Sequence, residues 1–265
     1  MQKTENFNPL ISVIMNCHNG EEYLSQSIES LINQTYENWE LIFFNNFSED
    51  KSVLIANSFK DKRIKIFHSH NLINLYKARN EALKKTQGDF ISFLDTDDFW
   101  EKDKMEKQVN FLKNNLDYSM VYSNFFTLEQ ASNKKKIHHN INLPEGEISK
   151  KIVKKYCIGI LTVCVKKEIF DQNVFDDNLN IIGDFDFFIN LSLSNKIGCI
   201  QEPLATYRIH KNNYSKKKLN DYIYELNKWI KENEAKFKEK GLTLIHQKFF
   251  LFKMRLRLLF QNLGV

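Results

Sequence analysis

Chain breakers are scarce, with only 3 prolines and 8 glycines in 265 residues. So thin a supply excludes collagen-like repeats and flexible or Pro-rich linkers. Cysteine is sparse too. Cys17, Cys157, Cys164 and Cys199 are widely spaced, and none forms a C-x-x-C pair. They read as buried free thiols of a reducing compartment rather than a zinc site or a disulfide framework. No apolar run reaches the ~18 residues of a membrane span, and the opening MQKTENFNPL lacks the apolar core of a signal peptide. These absences predict a cytoplasmic protein, with a peripheral place at the inner face of the cytoplasmic membrane as the variant.

What is abundant is aromatic surface, 22 Phe and 10 Tyr, enough with the chain length for a large buried core. The net charge of +5 is unevenly placed. Residues 216–265 hold 12 Lys/Arg and 5 Asp/Glu, leaving 26 and 28 for the rest. The tail is therefore +7 and the body −2, a balance that disfavours nucleic acid as a partner of the body.

The first half alternates two periods. Residues 10–15 (LISVIM) are a short apolar run, as expected of a buried parallel strand, 39–44 (WELIFF) and 89–94 (DFISFL) read as further strands, and 64–68 alternates like another. Helical spacing separates them at 23–32, 53–59 and 75–85. Strand–helix alternation predicts an α/β fold with a mostly parallel central sheet flanked by helices. Beyond residue 98 the pattern loosens. Helices are predicted at 104–114, from 150 and at 187–194. Strands are predicted at 119–126, 160–165 and 199–207, and a polar loop at 133–142, with His138 and His139 solvated. Helical periodicity returns in the tail, so the layout is one domain over 1–212 and a basic amphipathic extension over 213–265.

The sharpest local signal is FLDTDDFW, residues 93–100. An apolar strand ends there in Asp95, Asp97 and Asp98, where ligands sit in open α/β sheets. Crowded carboxylates repel one another, and oxygen ligands of this kind suit Mg²⁺ or Mn²⁺ shared with substrate phosphates. A solvated turn with Asp98 capping the next helix is the plainer reading. A second cluster, Asp184 and Asp186 in IIGDFDFF, stands at a predicted helix start, where acids also serve the helix dipole.

The ordered set SVIMNCHNG (12–20), YLSQSIESLINQTY (23–36), WELIFFNNFSED (39–50), KARNEALKKTQG (77–88), FLDTDDFW, GDFDFF (183–188) and PLATYRIHKNNYS (203–215) resembles family 2 glycosyltransferases of the GT-A fold. The resemblance covers roughly residues 9–215. It implies an enzyme that moves a sugar from a nucleotide-diphosphate donor, of UDP or GDP type, to a hydroxyl of a glycan or lipid-linked acceptor. It further implies an inverting mechanism and a part in surface polysaccharide biosynthesis. Asp97 would ligate the metal that bridges the diphosphate, with His210 as a second ligand. Asp95 would face the ribose or sugar, and Arg79 and Arg208 the phosphates. Asn16, His18 and Asn19 would line the nucleotide pocket with Asn45, which stands where many members carry Asp. Asp184 would be the general base that takes the acceptor's proton. Phe47 departs from a frequent Gly. Residues 125–160 are the candidate acceptor region.

Two other readings compete. The Asn45-Asn46-Phe47 departure motivates a catalytically silent nucleotide-binding scaffold of the same fold. A sugar-nucleotide nucleotidyltransferase would show a Gly-rich basic loop after the first strand, where NCHNGEEY has one Gly and no Lys or Arg. For the tail, packing or homodimerisation through the C-terminal helices competes with contact to anionic lipid.

Overall fold

The computed structural model describes residues 8–213 and 218–262. The first seven residues, read above for a leader, and residues 214–217, where the last motif ends and the basic tail starts, lie outside the described residues. The four predicted strands become β1 (Ile11–Cys17), β2 (Trp39–Asn45), β3 (Ile64–His68) and β4 (Phe90–Phe93). They pair in parallel in the order β3-β2-β1-β4. Helices α1 (Leu24–Ile32), α2 (Ser52–Ser58) and α3 (Leu75–Leu83) connect them. Each residue of β2 is buried, including Glu40, whose carboxylate accepts from Ser12 Oγ at 2.5 Å and Lys65 Nζ at 2.6 Å. The chain steps outward from β1 to β3 and then returns to β4 on the other side of β1. Strand order therefore reverses between β1 and β4, and a crevice opens at their C-terminal ends.

The second half is mixed. β5 (Phe99–Trp100), α4 (Lys104–Asn114), the long β6 (Tyr118–Glu129) and β7 (Lys134–Ile137) lead to α5 (Ser149–Lys154). A 3-10 turn (Ile160–Thr162), β8 (Cys164–Lys166), α6 (Glu168–Gln172), α7 (Gly183–Ser192) and β9 (Lys196–Ile209) follow. β8 lies antiparallel between β4 and β6, while β6 and β9 run parallel. Two expectations change here. The strand predicted over 160–165 begins as the 3-10 turn and only its end enters β8, and the polar loop predicted over 133–142 contains β7, hairpin-paired to β6. His138 stacks on Phe125 with ring centroids 4.3 Å apart, and His139 is half-buried beside it. Burial, with His138 and Lys155 nearby, lowers the His139 pKa to about 4.

Two cores flank the sheet. One side carries Ile11, Val13, Met15, Leu24, Leu41 and Trp100; the other carries Ile14, Ile42, Tyr76, Phe93, Phe187 and Phe188. The tail forms α8 (Leu219–Glu239) and α9 (Ile245–Asn262). Leu226, Trp229, Ile230 and Phe237 of α8 are at most 4% exposed and join the second core. At about 25 cal/mol per Å² of apolar surface, such a face holds α8 firmly on the domain. The four cysteines are free and buried. Among the described residues no helix is long and apolar enough to cross a membrane.

Candidate active site

The Asp95–Asp98 loop leaves the crevice end of β4, and each of its carboxylates has a different fate. Asp98 is 1% exposed and accepts the Arg208 amide at 2.9 Å. Burial, with Asp97 and Asp95 close by, pushes its carboxyl well above the usual range. It is a buried anchor and not a cap, since α4 starts after Asp103. Asp97 keeps 29% of its side chain exposed, and its Oδ2 lies 2.9 Å from His210 Nε2. Asn213 Nδ2 reaches the same oxygen at 3.4 Å and also receives the His210 amide on its Oδ1, at 2.7 Å. The chain thus brings together two residues 113 positions apart.

Arg208 is placed behind this loop. It is 3% exposed; Nε donates to the Asp97 carbonyl at 2.8 Å, Nη1 to Gln130 at 2.6 Å and Nη2 to Gln26. Its guanidinium lies 4.4 Å from the Tyr23 ring centroid. The expected phosphate contact therefore meets a side chain whose three nitrogens all bond protein, and which holds the loop from inside.

Asp95 faces the other way. Its Oδ1 accepts from Arg79 Nη2 at 3.0 Å, with the carboxylate side chain 35% exposed and the arginine 4%. Burial disfavours the Arg79 charge, but Asp95, Tyr76 and Asp184 more than offset this and hold it protonated. Tyr76 stands one turn before Arg79 on α3, and its hydroxyl lies 3.2 Å from Asp184 Oδ1 and 3.0 Å from the Ile181 carbonyl. Asp184 opens α7, and Oδ1 also accepts the Phe185 amide at 2.8 Å. Burial raises the Asp184 pKa, with Arg79 opposing and Asp95 adding to the rise. Gly183 permits this approach, since a Cβ there would come 2.6 Å from the Tyr76 ring. Asp186 points elsewhere, accepting from Trp229 Nε1 at 2.7 Å and Asn190 at 2.6 Å. Tyr76 was not singled out from sequence, although its i,i+3 spacing to Arg79 is the signal that would have found it.

The ends of β1 and β2 are laced together. The Asn46 amide donates to the Cys17 carbonyl at 2.7 Å, Asn19 N to Ser48 Oγ at 3.0 Å and Gly20 N to Ser52 Oγ at 2.9 Å. A Cβ on Gly20 would lie 2.8 Å from Thr96 Oγ1, so this turn also abuts the Asp95–Asp98 loop. His18 and Asn19 are exposed, with His18 Nδ1 3.0 Å from the Asn46 carbonyl. Asn45 is 6% exposed; its Oδ1 accepts the Ser48 amide and its Nδ2 meets His68 Nδ1 at 3.2 Å. Asn16 is the open position. Both of its side-chain polar atoms are buried without a hydrogen-bond partner, a cost that a bound ligand would relieve. Phe47, in place of glycine, sits at φ 60° and is 45% exposed.

The model of the family described as "Glycosyl transferase family 2" matches residues 12–177, which include every strand of this edge and the Asp95–Asp98 loop. The chain belongs to glycosyl transferase family 2. An uncharacterized glycosyltransferase of Haemophilus influenzae is 36% identical over 238 residues, 85% of this chain and 90% of that protein. The UDP-Glc:alpha-D-GlcNAc-diphosphoundecaprenol beta-1,3-glucosyltransferase WfgD of Escherichia coli is 32% identical, over 80% of this chain and 82% of its own. The fold matches the Staphylococcus aureus TarS 1-349 crystal structure in complex with UDP-GlcNAc. The TM-score is 0.73 at 17% identity, over 92% of this chain and 71% of that one.

For this glycosyltransferase the donor set can be tested against a divalent ion. The 2.9 Å between Asp97 Oδ2 and His210 Nε2 serves as a hydrogen bond. It equally suits adjacent ligands of an octahedral ion with bonds of about 2.1 Å. Among the described residues no group of three or more His, Cys, Asp or Glu is arranged around a metal. Two protein ligands match an ion that completes its shell with substrate phosphate and water, which is how Mg²⁺ is commonly held. The residues fit.

Proposed function

We propose that this glycosyltransferase moves a sugar, with inversion, from a UDP- or GDP-type nucleotide sugar to a hydroxyl of a glycan or lipid-linked glycan, in the synthesis of a surface polysaccharide. The reading rests on one arrangement: the Asp97–His210 pair and the Asp184 carboxylate, linked through Asp95, Arg79 and Tyr76 at the crevice edge of the parallel strands. The UDP-type donor and lipid-linked acceptor are supported by the reaction named for the Escherichia coli relative.

In this reading Asn16, His18, Asn19 and Asn45 border the nucleotide, and Asp95 faces its ribose or the sugar. Asp97 and His210 hold Mn²⁺ or Mg²⁺, which when bound supplies positive charge to the departing diphosphate. Buried Arg79 adds a second fixed charge on the same side. Asp184 takes the proton of the acceptor hydroxyl. The hydroxyl oxygen forms the new bond to the anomeric carbon, the bond to the diphosphate oxygen breaks, and its electron pair leaves with the diphosphate. A carboxyl raised by burial is a stronger base than one in water, which suits that role. Arg208 holds the Asp97 backbone and so positions the metal ligand. The domain of residues 1–212 would carry the chemistry, with the extension packed upon it.

The test is transfer from UDP- and GDP-sugars with and without Mn²⁺. Asp97→Ala and Asp184→Asn are expected to abolish it while circular dichroism is unchanged. Full activity in either variant would remove that residue from the mechanism, and donor binding without turnover in the native protein would favour a scaffold.

A further inference from the structure

We infer that α9 is a docking surface for an anionic lipid bilayer. Its inner face is committed to the domain: Gln247 and Leu251 are 7% and 6% exposed. Its outer face carries Ile245, Phe249, Phe252, Leu256, Leu259 and Phe260, all between 37% and 59% exposed. At 3.6 residues per turn these six fall within an arc of about 100°, opposite the packed face. So ordered a stripe is unlike the scattered apolar residues of an ordinary surface.

Charge decides between occupants. The same helical geometry puts Lys248 and Arg255 on one flank of the stripe and Lys253 and Arg257 on the other. No Asp or Glu occurs after Glu239. Lys248 is paired with Glu234 of α8, and Arg255 donates to the neutral Asn227. Two copies meeting stripe to stripe would press these cations together with no carboxylate on either helix to answer them. An anionic bilayer satisfies both features at once. The Phe and Leu side chains enter the headgroup–acyl boundary while the Lys and Arg stems extend sideways to lipid phosphates.

The surface adjoins the second carboxylate. Phe250 of α9 lies 6.2 Å from Tyr222 of α8, and Trp229 of α8 lies 4.8 Å from Phe185, the neighbour of Asp184. Docking would therefore bring the acceptor side of the crevice near the bilayer. That purpose rests on the function proposed above, but the binding does not.

The experiment is co-sedimentation of the full chain with vesicles, without donor or acceptor. One set is phosphatidylcholine alone; the other is equimolar phosphatidylcholine and phosphatidylglycerol. Binding to the anionic set, more than about tenfold weaker to the neutral set and weakened by salt, is expected. Lys253→Glu/Arg257→Glu and Phe252→Ser/Leu256→Ser are each expected to lower the anionic affinity by about tenfold or more. Circular dichroism and transfer to a water-soluble acceptor should be unchanged in both. Sedimentation velocity without lipid should show a monomer. Absence of binding, equal binding to both vesicle sets, or a lipid-free dimer that these substitutions dissociate would each overturn the inference. Loss of transfer with binding intact would count against the proposed function alone.

Discussion

Arg79 and Arg208, at the crevice, are each 3% exposed and bonded to protein through their guanidinium groups. Lys253, Arg255 and Arg257, on α9, are exposed among bare Phe and Leu. A third case is Lys104 of α4, fully buried and without a carboxylate partner among the described residues. Its Nζ donates to Gln108 at 2.7 Å and lies 3.8 Å from the Trp100 ring centroid. Cations at the crevice are fixed by protein partners, which under the proposed function leaves little reorganisation for the reaction. Those on α9 stand exposed to solvent on long stems. The same residue types serve different ends according to what surrounds them.

The largest effects should come from breaking the fixed set. Asp97→Ala and Asp184→Asn are each expected to lower kcat by 10²-fold or more, read by donor turnover. Transfer should also fall with acid through a limb above the usual carboxylate range, and the Asp184→Asn variant should lose that limb. The stability sign is opposite. A carboxyl with a raised folded pKa gives its full stability below the unfolded value and loses it as pH rises through the folded one. Asp184→Asn should therefore be at least as stable as the native protein at neutral pH, as calorimetry can show.

Arg208→Met should cost about 2–3 kcal/mol in urea unfolding, because the Asp97 carbonyl and two glutamines lose their donors. Lys104 sharpens the contrast in the other direction. Burial lowers its pKa to about 7, so the unfolded chain binds more protons from there to about 10.5 and stability should rise with pH across that window. Lys104→Met should flatten the rise and gain about 1 kcal/mol at pH 7. The smallest effect is expected at Phe47, where a left-handed backbone costs a bulky residue about 1 kcal/mol. Phe47→Gly should recover part of that in thermal unfolding, offset in part by the greater freedom of glycine in the unfolded chain.

β1, β2 and β4 were legible because strands buried on both faces are short, mostly apolar runs, and β3, partly buried at the end of the strand order, was legible by its alternation. β7 was not. Its sequence KKKI is exposed on all four residues and pairs with β6 as an edge hairpin, so no alternation marks it. The segment 160–165 was legible only at its β8 end, for the opposite reason: a buried apolar stretch looks alike whether its backbone turns or extends. At the crevice, Asp95, Asp97 and His210 were visible as residue types on strand ends. Tyr76 was hidden as one more aromatic in a helix, and the interior role of Arg208 was hidden because Gln26 and Gln130 lie 182 and 78 positions away.

The sequence by itself determined the βαβ order, the carboxylates at strand ends, and the concentration of positive charge in the tail. These follow from local periodicity and composition, which each segment carries without its neighbours. Only the tertiary structure decided that Asp184 rather than Asp186 meets Tyr76, that Asp98 is sealed while Asp97 stays open, and that the outer stripe of α9 is bare. Each of those depends on which distant side chain fills the adjoining space, and packing settles that only once the whole sheet is assembled.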